Sequence, residues 1–529
     1  MDKNCTLPQI PKEKFEFANS GDRITDKKFD DKPIGYFRDA WNRFRKNKAS
    51  IVAAIIILLI VLYALIVPFL GISEEMNVYY AKKGPRVTWL RQFGIADGGT
   101  DASFNDLTYI KLLAIGAAAE DHDGTASVSF AEGQKSEYQP ILKSNGYTAQ
   151  TLPGGRSKFT YNARVDSYLQ LGFMNMQITQ DEYAKIIKWQ EETGKQVIYP
   201  LVDESSEYFY SGAPEADKAN YWYKTNQKGA PVSVNEETGQ VTTLALSTDL
   251  QLEDNYLRNE NGDPVYHVYT GGGDVDTAAY KVRVLYYNYY QYETGSEPNF
   301  LLGTDRQGYD MALRLAKGIR LSLLVAVFVS VINFLIGGIY GAIEGYYGGL
   351  PDLIMERISD IISGVPFIVV ATLFQIHLAK KVGPIPSMLF AFVVTGWIGT
   401  ASRMRSQFYR FKNQEYVMAA RTLGARDRRI IWKHIFPNTL GTLITSVALV
   451  IPSVVFNESM LSFLGIVNLG GANTTSLGTL LSDANGVWTN YPHLMIVPAI
   501  VISLMMICFN LFGNGLRDAF NPSLRGVEE

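Results

Sequence analysis

The histidine, serine and glycine residues of this chain form none of the familiar short sequence motifs of catalytic or metal sites. No histidine pair has HExxH or other metal-ligand spacing among His122, His267, His377, His434 and His493. The Gly194-Lys195 pair is followed by Gln196 and lacks the earlier glycine of a phosphate-binding loop, and no serine lies in a GxSxG motif. We therefore expect no catalytic, cofactor-binding or metal-binding residue, and the chain is predicted not to be an enzyme by itself.

A basic segment, residues 403–437, has a pattern that suits binding to another protein. It is predicted to form a short helix, a left-handed turn at Gly424, a second short basic helix, and a new helix with Pro437 in its first turn. The small residues Ala419 and Ala420 permit close backbone approach. Such a helix–turn–helix can insert into a groove on a soluble partner. The alternative is a loop that lies along the lipid headgroups, which would have a similar composition.

Six apolar segments are long enough to position this loop by crossing a membrane, which takes about 20 residues for roughly 30 Å of hydrocarbon. They are Ile51–Gly71, Leu321–Ile343, Ile361–Ala379, Val382–Ser402, Ile435–Asn457 and about Leu494–Phe512. Six spans place both termini on one side. A long polar stretch precedes the first segment, so we interpret it as a signal anchor rather than a cleaved signal peptide.

The charge distribution orients these spans. Residues 72–300 contain 31 acidic and 19 basic residues, a net charge of −12, whereas the rest of the chain contains 21 and 30, a net of +9. Lysine and arginine concentrate in the short loops on the N-terminal side, so both termini are predicted to be cytoplasmic and residues 72–300 to be exported. The split excludes a simple soluble enzyme and a chain-wide basic surface for nucleic acid. Two cysteines, Cys5 and Cys508, exclude a disulfide framework.

Residues 72–300 are predicted to form an inserted extracytoplasmic α+β domain. This region holds 22 of the 31 tyrosines, and strands are expected within Ile198–Val202, Val265–Tyr269 and Tyr280–Tyr290. A capping box at Thr179–Glu182 predicts a helix through about Glu192, stopped by Gly194. The acidic, tyrosine-rich character fits an ordinary solvated surface or a docking surface for a partner or peptide.

Two charged features are interpreted as interfacial. Arg314, Lys317 and Arg320 share one helix face at i, i+3 and i+6, so Asp310–Arg320 is predicted to be an amphipathic helix lying on the outer interface, either as an anchor or as part of an outer gate. Glu458, at the outer end of the fifth span, is interpreted as a cap at headgroup level.

The spacing in the basic segment resembles the EAA motif of ABC-importer permeases. Ala419-Ala420 is followed at the motif's intervals by Gly424 and Pro437, and Met418 stands in place of the opening Glu. Other stretches resemble the C-type permease subunit of the dipeptide/oligopeptide branch. They are Ala40–Lys48, Leu302–Asp310 with Tyr309 in place of an Arg, Gly345–Gly349 with Asp352 and Arg357–Asp360, Glu458 with Leu461–Gly465, and Asn510–Asp518 ahead of Pro522 with Asn514 in place of an Asp.

This resemblance implies an α-helical membrane protein with a six-helix permease bundle. It implies a second, B-type permease, two ATP-binding subunits that hold ATP and Mg, an extracytoplasmic peptide-binding protein, a di- or oligopeptide substrate and a lipid environment, with no nucleic acid. The ATPase-coupling residues are expected to be Glu415, Ala419, Ala420, Gly424, Arg428, Arg429, His434 and Pro437. The outer-side family element comprises Gly303, Thr304, Asp305, Gly308 and Asp310.

The predicted organisation is a cytoplasmic segment (1–49), a first transmembrane helix (50–71), the exported domain (72–300), a permease core with five transmembrane helices (301–516) and a cytoplasmic tail (517–529). Three alternatives stay open: an importer of the same branch for nickel or a glycoside, a membrane-anchored receptor that acts through the exported domain, and an ion-coupled secondary transporter. The scarcity of acidic residues inside the spans argues against the last of these.

Overall fold

The computed structural model describes residues 36–70, 72, 75–91, 93–115, 127–129, 140–153, 155, 157–244, 249–271, 279–470 and 474–520. Its helices are α1 (Tyr36–Lys46), α2 (Lys48–Ile66), α3 (Thr88–Arg91), α4 (Asp106–Ile115), α5 (Gln180–Thr193), α6 (Tyr286–Thr294), α7 (Met311–Tyr347), α8 (Gly349–Ser363), α9 (Phe367–His377), α10 (Ala379–Val382), α11 (Pro384–Gly396), α12 (Ile398–Phe411), α13 (Glu415–Thr422), α14 (Asp427–Arg429), α15 (Phe436–Phe463), α16 (Leu477–Ala484) and α17 (His493–Phe520). Most of the predicted N-terminal segment and the predicted tail beyond Phe520, including Pro522, lie outside these residues.

The membrane-spanning part of the fold agrees with most of the predicted spans. Within the described residues, five helical stretches are long and apolar enough to cross a membrane: Lys48–Phe69, Met311–Tyr347, Pro384–Phe411, Leu443–Phe463 and His493–Phe520. A sixth crossing exists only if α8 and α9 count as one span, and these two helices meet at a 72° bend. The predicted uninterrupted span Ile361–Ala379 is therefore wrong. The helix breaks before Pro366, which has no N–H to donate and disfavours helical backbone in the residue before it.

A row of glycines brings α7 directly onto the backbone of α12. A Cβ atom on Gly337, Gly341 or Gly345 would lie 2.5, 2.1 or 2.7 Å from the carbonyl oxygens of Trp397, Ala401 and Arg405, respectively. Only glycine permits this approach, and such small-residue stripes are typical of tightly packed membrane helices. The two helices are consequently held as one unit.

The first and last described helices meet at the same end of the bundle. Phe44 of α1 is buried and its ring stands edge-on to that of Phe512, with 5.5 Å between the ring centroids. The Ser50 hydroxyl donates to the carbonyl oxygen of Leu511 at 3.0 Å. The amphipathic α1 therefore covers the C-terminal half of α17.

The region between α2 and α7 contains sheets as well as helices, as the α+β prediction requires. Its strands are β1 (Gly99–Phe104), β2 (Ser127–Ser129), β3 (Ile141–Thr151), β4 (Ser157–Asp166), β5 (Phe173–Thr179), β6 (Ile198–Tyr199), β7 (Val232–Val234), β8 (Val241–Thr243), β9 (Asp249–Gln251), β10 (His267–Tyr269) and β11 (Ala279–Leu285). One antiparallel sheet has the order β1-β4-β3, and another has β10-β11-β5 with β6 also paired to β11. We call residues 72–300 the intervening domain.

Local signals in the intervening domain are partly confirmed. The Thr179 hydroxyl accepts a hydrogen bond from the Glu182 N–H at 3.2 Å, and Gly194 ends α5 in a left-handed conformation, as the capping box predicts. The predicted strand Tyr280–Tyr290 is wrong in its second half, because the chain turns into α6 at Tyr286. The predicted strands at 198–202 and 265–269 are shorter than expected, as β6 and β10.

The start of α7 differs from the sequence expectation. Asp310–Arg320 is not a separate helix on the outer interface, because α7 runs without a break from Met311 to Tyr347. Arg314 is only 4% exposed and its Nε lies 3.1 Å from Asp305 Oδ2. A buried carboxylate partner on the preceding loop, which helical periodicity does not reveal, determines the position of this arginine.

Candidate functional site

The predicted coupling segment forms a helix–turn–helix that projects from the end of the bundle, and we call residues 415–435 the elbow. α13 ends near Thr422, and Gly424 then adopts a φ of +78° in the left-handed region. No neighbouring atom would meet a Cβ at Gly424, so glycine is needed there for its backbone and not for space. α14 follows, then a stretch of π-helix at Ile430–Ile435 leads into α15, with Pro437 in the first turn.

The base of the elbow is an apolar cluster shared with the membrane helices. Val417, Ile430 and Ile435 of the elbow are fully buried. They pack with residues of α7, α12 and α15, namely Ala342, Tyr346, Met404, Phe408 and Leu443. Displacing the elbow must therefore displace the ends of these three helices, because a packed cluster of this kind does not deform gradually.

The outer face of the elbow is exposed and carries apolar side chains. Leu423 is 88% exposed and Met418 is 49% exposed. Of the predicted coupling residues, those exposed are Glu415, Ala419, Gly424, Arg428, Arg429 and Pro437, while Ala420 and His434 are half-buried. The structure thus brings the predicted residues together on one projection, and their contact with an ATPase stays a prediction.

Polar contacts also fasten the elbow to the end of α7. The Tyr346 hydroxyl donates to Asp427 Oδ1 at 2.6 Å, and Arg421 donates to the same hydroxyl at 3.5 Å. These contacts join both arms of the elbow to one tyrosine. The tyrosine follows Gly345, the last of the three glycines that pack on α12.

An arginine that sequence analysis treated only as positive-inside charge forms the largest ionic cluster near the elbow. Arg405 of α12 donates to both oxygens of Asp352, with Nε–Oδ1 and Nη2–Oδ2 distances of 2.6 and 2.9 Å. It also donates to Glu356 at 2.8 and 3.1 Å and lies 3.5 Å from Glu344. Tyr409 donates to Asp352 as well. Arg405 therefore connects α12, which leads into the elbow, to α7 and α8.

At the opposite end of α7, the predicted outer-side family element contacts the start of the intervening domain, and we call residues 303–310 the clasp. Thr304 is fully buried; its hydroxyl donates to the Tyr80 carbonyl and accepts from the Lys83 N–H at 2.8 Å. A Cβ on Gly308, which has a φ of +98°, would lie 1.9 Å from the Asn77 carbonyl oxygen, and one on Gly303 would lie 2.3 Å from that of Lys83. The two ends of the intervening domain therefore meet at one point.

The charges of the clasp are satisfied internally. One oxygen of Asp305 accepts from the backbone N–H groups of Gln307, Gly308 and Tyr309, and the other pairs with Arg314. Asp310 caps α7 by accepting from Ala312 N–H at 2.7 Å, and burial raises the pKa of this carboxyl. The sequence identified these residues, and the structure assigns them to the junction between the domain and α7.

The Lys83 ammonium lies on the domain side of this junction. Burial lowers its pKa to about 8. Independently of its side chain, the Lys83 backbone bonds Thr304 in both directions, because its N–H donates to the Thr304 hydroxyl and its carbonyl accepts from the Thr304 N–H. Its role here is thus structural.

Glu458 is not the headgroup-level cap that its position suggested, because it is 0% exposed within α15. Its oxygens accept from the hydroxyls of Ser322 at 2.9 Å, Ser476 at 2.6 Å and Ser462 at 3.2 Å. Ser322 also accepts from the N–H of Leu477, at the start of α16. The Glu458 side chain thereby joins α7, α15 and α16, with the hydrogen bonds that a buried polar group needs. The serines that donate to Glu458 are separated in the sequence, so no local sequence pattern revealed this cluster.

Comparison with known proteins places these features in a family. A model described as the inner membrane component of binding-protein-dependent transport systems matches residues 334–526, and one for the N-terminal transmembrane domain of oligopeptide transport permease C matches residues 35–85. The elbow, the Arg405 cluster and Glu458 fall within the first match. Residues 86–333 lie between the two matches.

The curated relatives are permease subunits rather than enzymes. The oligopeptide transport system permease protein OppC of Bacillus subtilis (strain 168) is 42% identical over 224 residues, which is 42% of this chain and 72% of that protein. The dipeptide transport system permease protein DppC of the same organism is 42% identical over 229 residues, or 68% of its length. A chain from the inward-facing MetNI methionine ABC transporter aligns with 40% of this chain and 98% of its own, at 16% identity and a TM-score of 0.34.

Identity at this level over more than two thirds of a relative, together with two family matches in the expected order, leaves one assignment. The chain belongs to the family of binding-protein-dependent transport system inner membrane components, and it is a membrane permease subunit of the ABC-importer type.

Proposed function

We propose that this chain forms the translocation pathway of an ATP-driven importer of di- and oligopeptides together with a B-type permease. In this proposal, two cytoplasmic subunits bind ATP and Mg and hydrolyse the nucleotide, and an extracytoplasmic peptide-binding protein delivers the substrate. The names of the curated relatives support the peptide cargo. Membership of the family by itself implies only a partner permease and ATPase subunits.

The observation that carries the proposal is the form of the elbow. It combines an exposed apolar tip at Leu423 with a rigid left-handed turn at Gly424 and a fully buried base at Val417 and Ile430. An exposed apolar residue at the tip of a basic helix pair suits a hydrophobic groove on a partner. Through the buried base, a displacement of the tip would move the membrane helices.

The mechanism follows from these contacts. ATP binding closes the two ATPases and moves the elbow, with Ala419 and Ala420 permitting close approach and Arg428 and Arg429 supplying charge at the rim. The motion reaches α12 through Phe408 and reaches α7 and α8 through Arg405. Because α7 and α12 are locked by their glycine contacts, the helices tilt as a rigid body and access to the cavity between the two permeases alternates.

The proposed location is the plasma membrane, with several crossings. The described end of α1 and the end of α17 lie together, and the elbow and the N-terminal segment are rich in lysine and arginine, so both termini and the elbow are assigned to the cytoplasm. The intervening domain, with its net charge of −12, is assigned to the outer side.

The test has two stages. Purification of the chain from its native membrane should recover a second permease and ATPase subunits. The purified complex, reconstituted in vesicles with its binding protein, should then accumulate a radiolabelled tripeptide only when ATP and Mg are supplied on the elbow side.

The same preparation tests the alternatives. Uptake of nickel or a glycoside in place of the peptide would change the cargo and keep the mechanism. Accumulation by the isolated chain with an ion gradient and no ATPase would contradict the proposal and favour a secondary transporter. A complex that binds a ligand through the intervening domain and transports nothing would favour a receptor.

A further inference from the structure

A polar cavity of about 220 Å³ lies between α12 and α15. Its lining consists of Ser402, Arg403, Ser406, Gln407, Leu443 and Ser446, and we call it the inner pocket. Neither the family matches nor the predicted coupling and clasp residues assign a role to it. Five of its six side chains are polar, although both helices belong to stretches apolar enough to cross a membrane.

The exposed face of α12 is polar while its buried face is apolar. Ser402, Arg403 and Ser406 are exposed on one side, whereas Met404 and Phe408 are buried on the other, against α7. This is the reverse of a helix that faces lipid, because polar and charged groups are costly in hydrocarbon and normally face a water-filled space or a protein. Because residues 403–437 are predicted to lie on the cytoplasmic side, the inner pocket opens at the cytoplasmic end of this span, toward water, the pathway or another subunit.

Arg403 is directed toward the interior of its span. One of its terminal nitrogens would lie 3.6 Å from a Cβ on Gly399, one turn earlier in α12. Gly399 leaves space for the guanidinium, and among the described residues no carboxylate forms an ion pair with it.

The inner pocket also contains an unsatisfied acceptor. Gln407 Oε1 is buried and has no hydrogen-bond partner within the described part of the chain. An unpaired buried acceptor is destabilising, so such groups usually receive a ligand or water. Among the residues described, the site thus offers a cation without an ion-pair partner and a buried acceptor without a hydrogen bond, next to serines of which Ser406 already donates to the Ser402 carbonyl. A cation beside an acceptor is complementary to the end of a peptide, which carries a carboxylate and a neighbouring amide N–H.

We propose that the inner pocket binds the C-terminal residue of the transported peptide, with Arg403 paired to its carboxylate and Gln407 accepting from its last amide N–H. This inference rests on the proposed function. The volume, below the roughly 300–1,000 Å³ of sites that enclose a whole small molecule, suits one end of a peptide. A phospholipid headgroup also carries an anionic oxygen, and the experiment separates it from the peptide.

The experiment compares Arg403→Gln with Arg410→Gln in the complete reconstituted transporter. Arg410 lies on the same helix, is exposed and does not line the pocket. Uptake of trialanine with a free carboxylate and of trialanine amide is measured for each protein. We expect Arg403→Gln to lower the free-to-amide ratio of kcat/KM about tenfold or more, since a hydrogen bond to a charged group contributes about 1.5–3 kcal/mol. Arg410→Gln should leave the ratio unchanged.

A second variant covers the case in which wild type does not accept the amide. Arg403→Cys is prepared with serine at Cys5 and Cys508, and it is treated with a positively or a negatively charged methanethiosulfonate reagent. Only the positive reagent should restore uptake of trialanine, and trialanine should slow the modification.

The outcomes are distinct. An unchanged free-to-amide ratio in Arg403→Gln, or equal rescue by both reagents, would overturn the inference and leave peptide import intact. An effect of Arg403→Gln that disappears in vesicles without anionic lipid would assign the arginine to a headgroup, and so would also overturn it. Failure of wild type to import any peptide would instead contradict the proposed function.

Discussion

The elbow and the clasp are both short connections that carry family motifs, and they are built in opposite ways. In the elbow, most of the motif residues are exposed, local backbone hydrogen bonds hold the turn, and the apolar side chain of Leu423 at the tip is exposed. In the clasp, Thr304 and Asp305 are buried, and the bonds join segments more than 200 residues apart in sequence. The elbow presents an exposed surface, whereas the clasp joins two segments of this chain to each other.

The glycines of the two motifs are needed for different structural reasons. Gly424 has open space around it, so its left-handed turn shapes the projecting elbow. Gly308 has a carbonyl oxygen in the place where a side chain would begin, so it serves packing within the chain. Substitution at the elbow should therefore affect transport, and substitution at the clasp should affect stability.

The largest effect is expected for Gly424→Pro. Proline fixes φ near −65° and cannot adopt the observed +78°, so the elbow loses its shape. Peptide uptake by the complex should fall to background while the protein remains in the membrane at normal levels. Gly239→Pro is the matched control, because Gly239 is also left-handed, has open space and donates one turn hydrogen bond. Normal uptake with Gly424→Pro would remove the coupling role of the elbow.

A large loss of stability is expected for Gly308→Ala. The added methyl group meets the Asn77 carbonyl and requires an unfavourable backbone, which together destabilise the protein by about 2–5 kcal/mol. Gly295→Ala has a similar backbone requirement without a clash and should be destabilising by only about 1–2 kcal/mol. Thermal unfolding of the purified proteins checks both. Equal melting temperatures would show that the clasp can relax without loss.

An intermediate effect on both properties is expected for Arg405→Ala. Removal of the guanidinium leaves Asp352, Glu356 and Glu344 close together without their shared cation, although Tyr409 still donates to Asp352. Breaking a fully buried pair is destabilising by about 3–5 kcal/mol, and partial exposure of this cluster reduces the expectation to about 2 kcal/mol. ATP hydrolysis per peptide imported should also rise, because α8 no longer follows α12. A variant with reduced stability and an unchanged ratio would limit Arg405 to a structural role.

The smallest effect is expected when the intervening domain is removed and the clasp is kept. The Arg86 N–H bonds the Phe300 carbonyl, so a short glycine-serine linker can replace residues 88–298. Co-purification with the ATPase subunits should be unchanged. Replacing residues 76–295 instead also removes Asn77, Tyr80 and Lys83, and this protein should retain association with lower stability. Loss of association in the first variant would mean that the two ends of the molecule depend on each other.

The sequence predicted those parts of the fold that depend on composition and short-range rules. Apolar length was enough to locate five spans, and the capping box at Thr179 and the left-handed turn at Gly424 followed from local backbone preferences. The 72° bend was missed because hydropathy measures composition and does not measure continuity of a helix, although Gly364 and Pro366 were visible. Aromatic residues after Leu285 favoured a strand by type, and packing made them a helix.

The candidate site was predictable only where its residues are adjacent in the chain. The elbow and clasp residues form short runs, so their motifs revealed them. Helix packing brings Arg405 to Asp352 and Glu458 to Ser322 over long sequence separations. The type of a single residue does not reveal which distant residue it will contact. Arg314 was misplaced for this reason, since its charge suggested an interface and its partner Asp305 buries it.

The bend between α8 and α9 has a consequence for how a cell must handle this protein. The residues around Gly364 and Pro366 are exposed along an otherwise apolar helix pair, and hydrocarbon does not satisfy backbone groups that leave a helix. In a copy without a companion subunit, the polar backbone groups of this bend therefore face lipid, which is unfavourable. Membrane quality-control proteases recognise surfaces of this kind. Balanced synthesis of the two permeases follows as a requirement, because any excess of this chain is expected to be degraded.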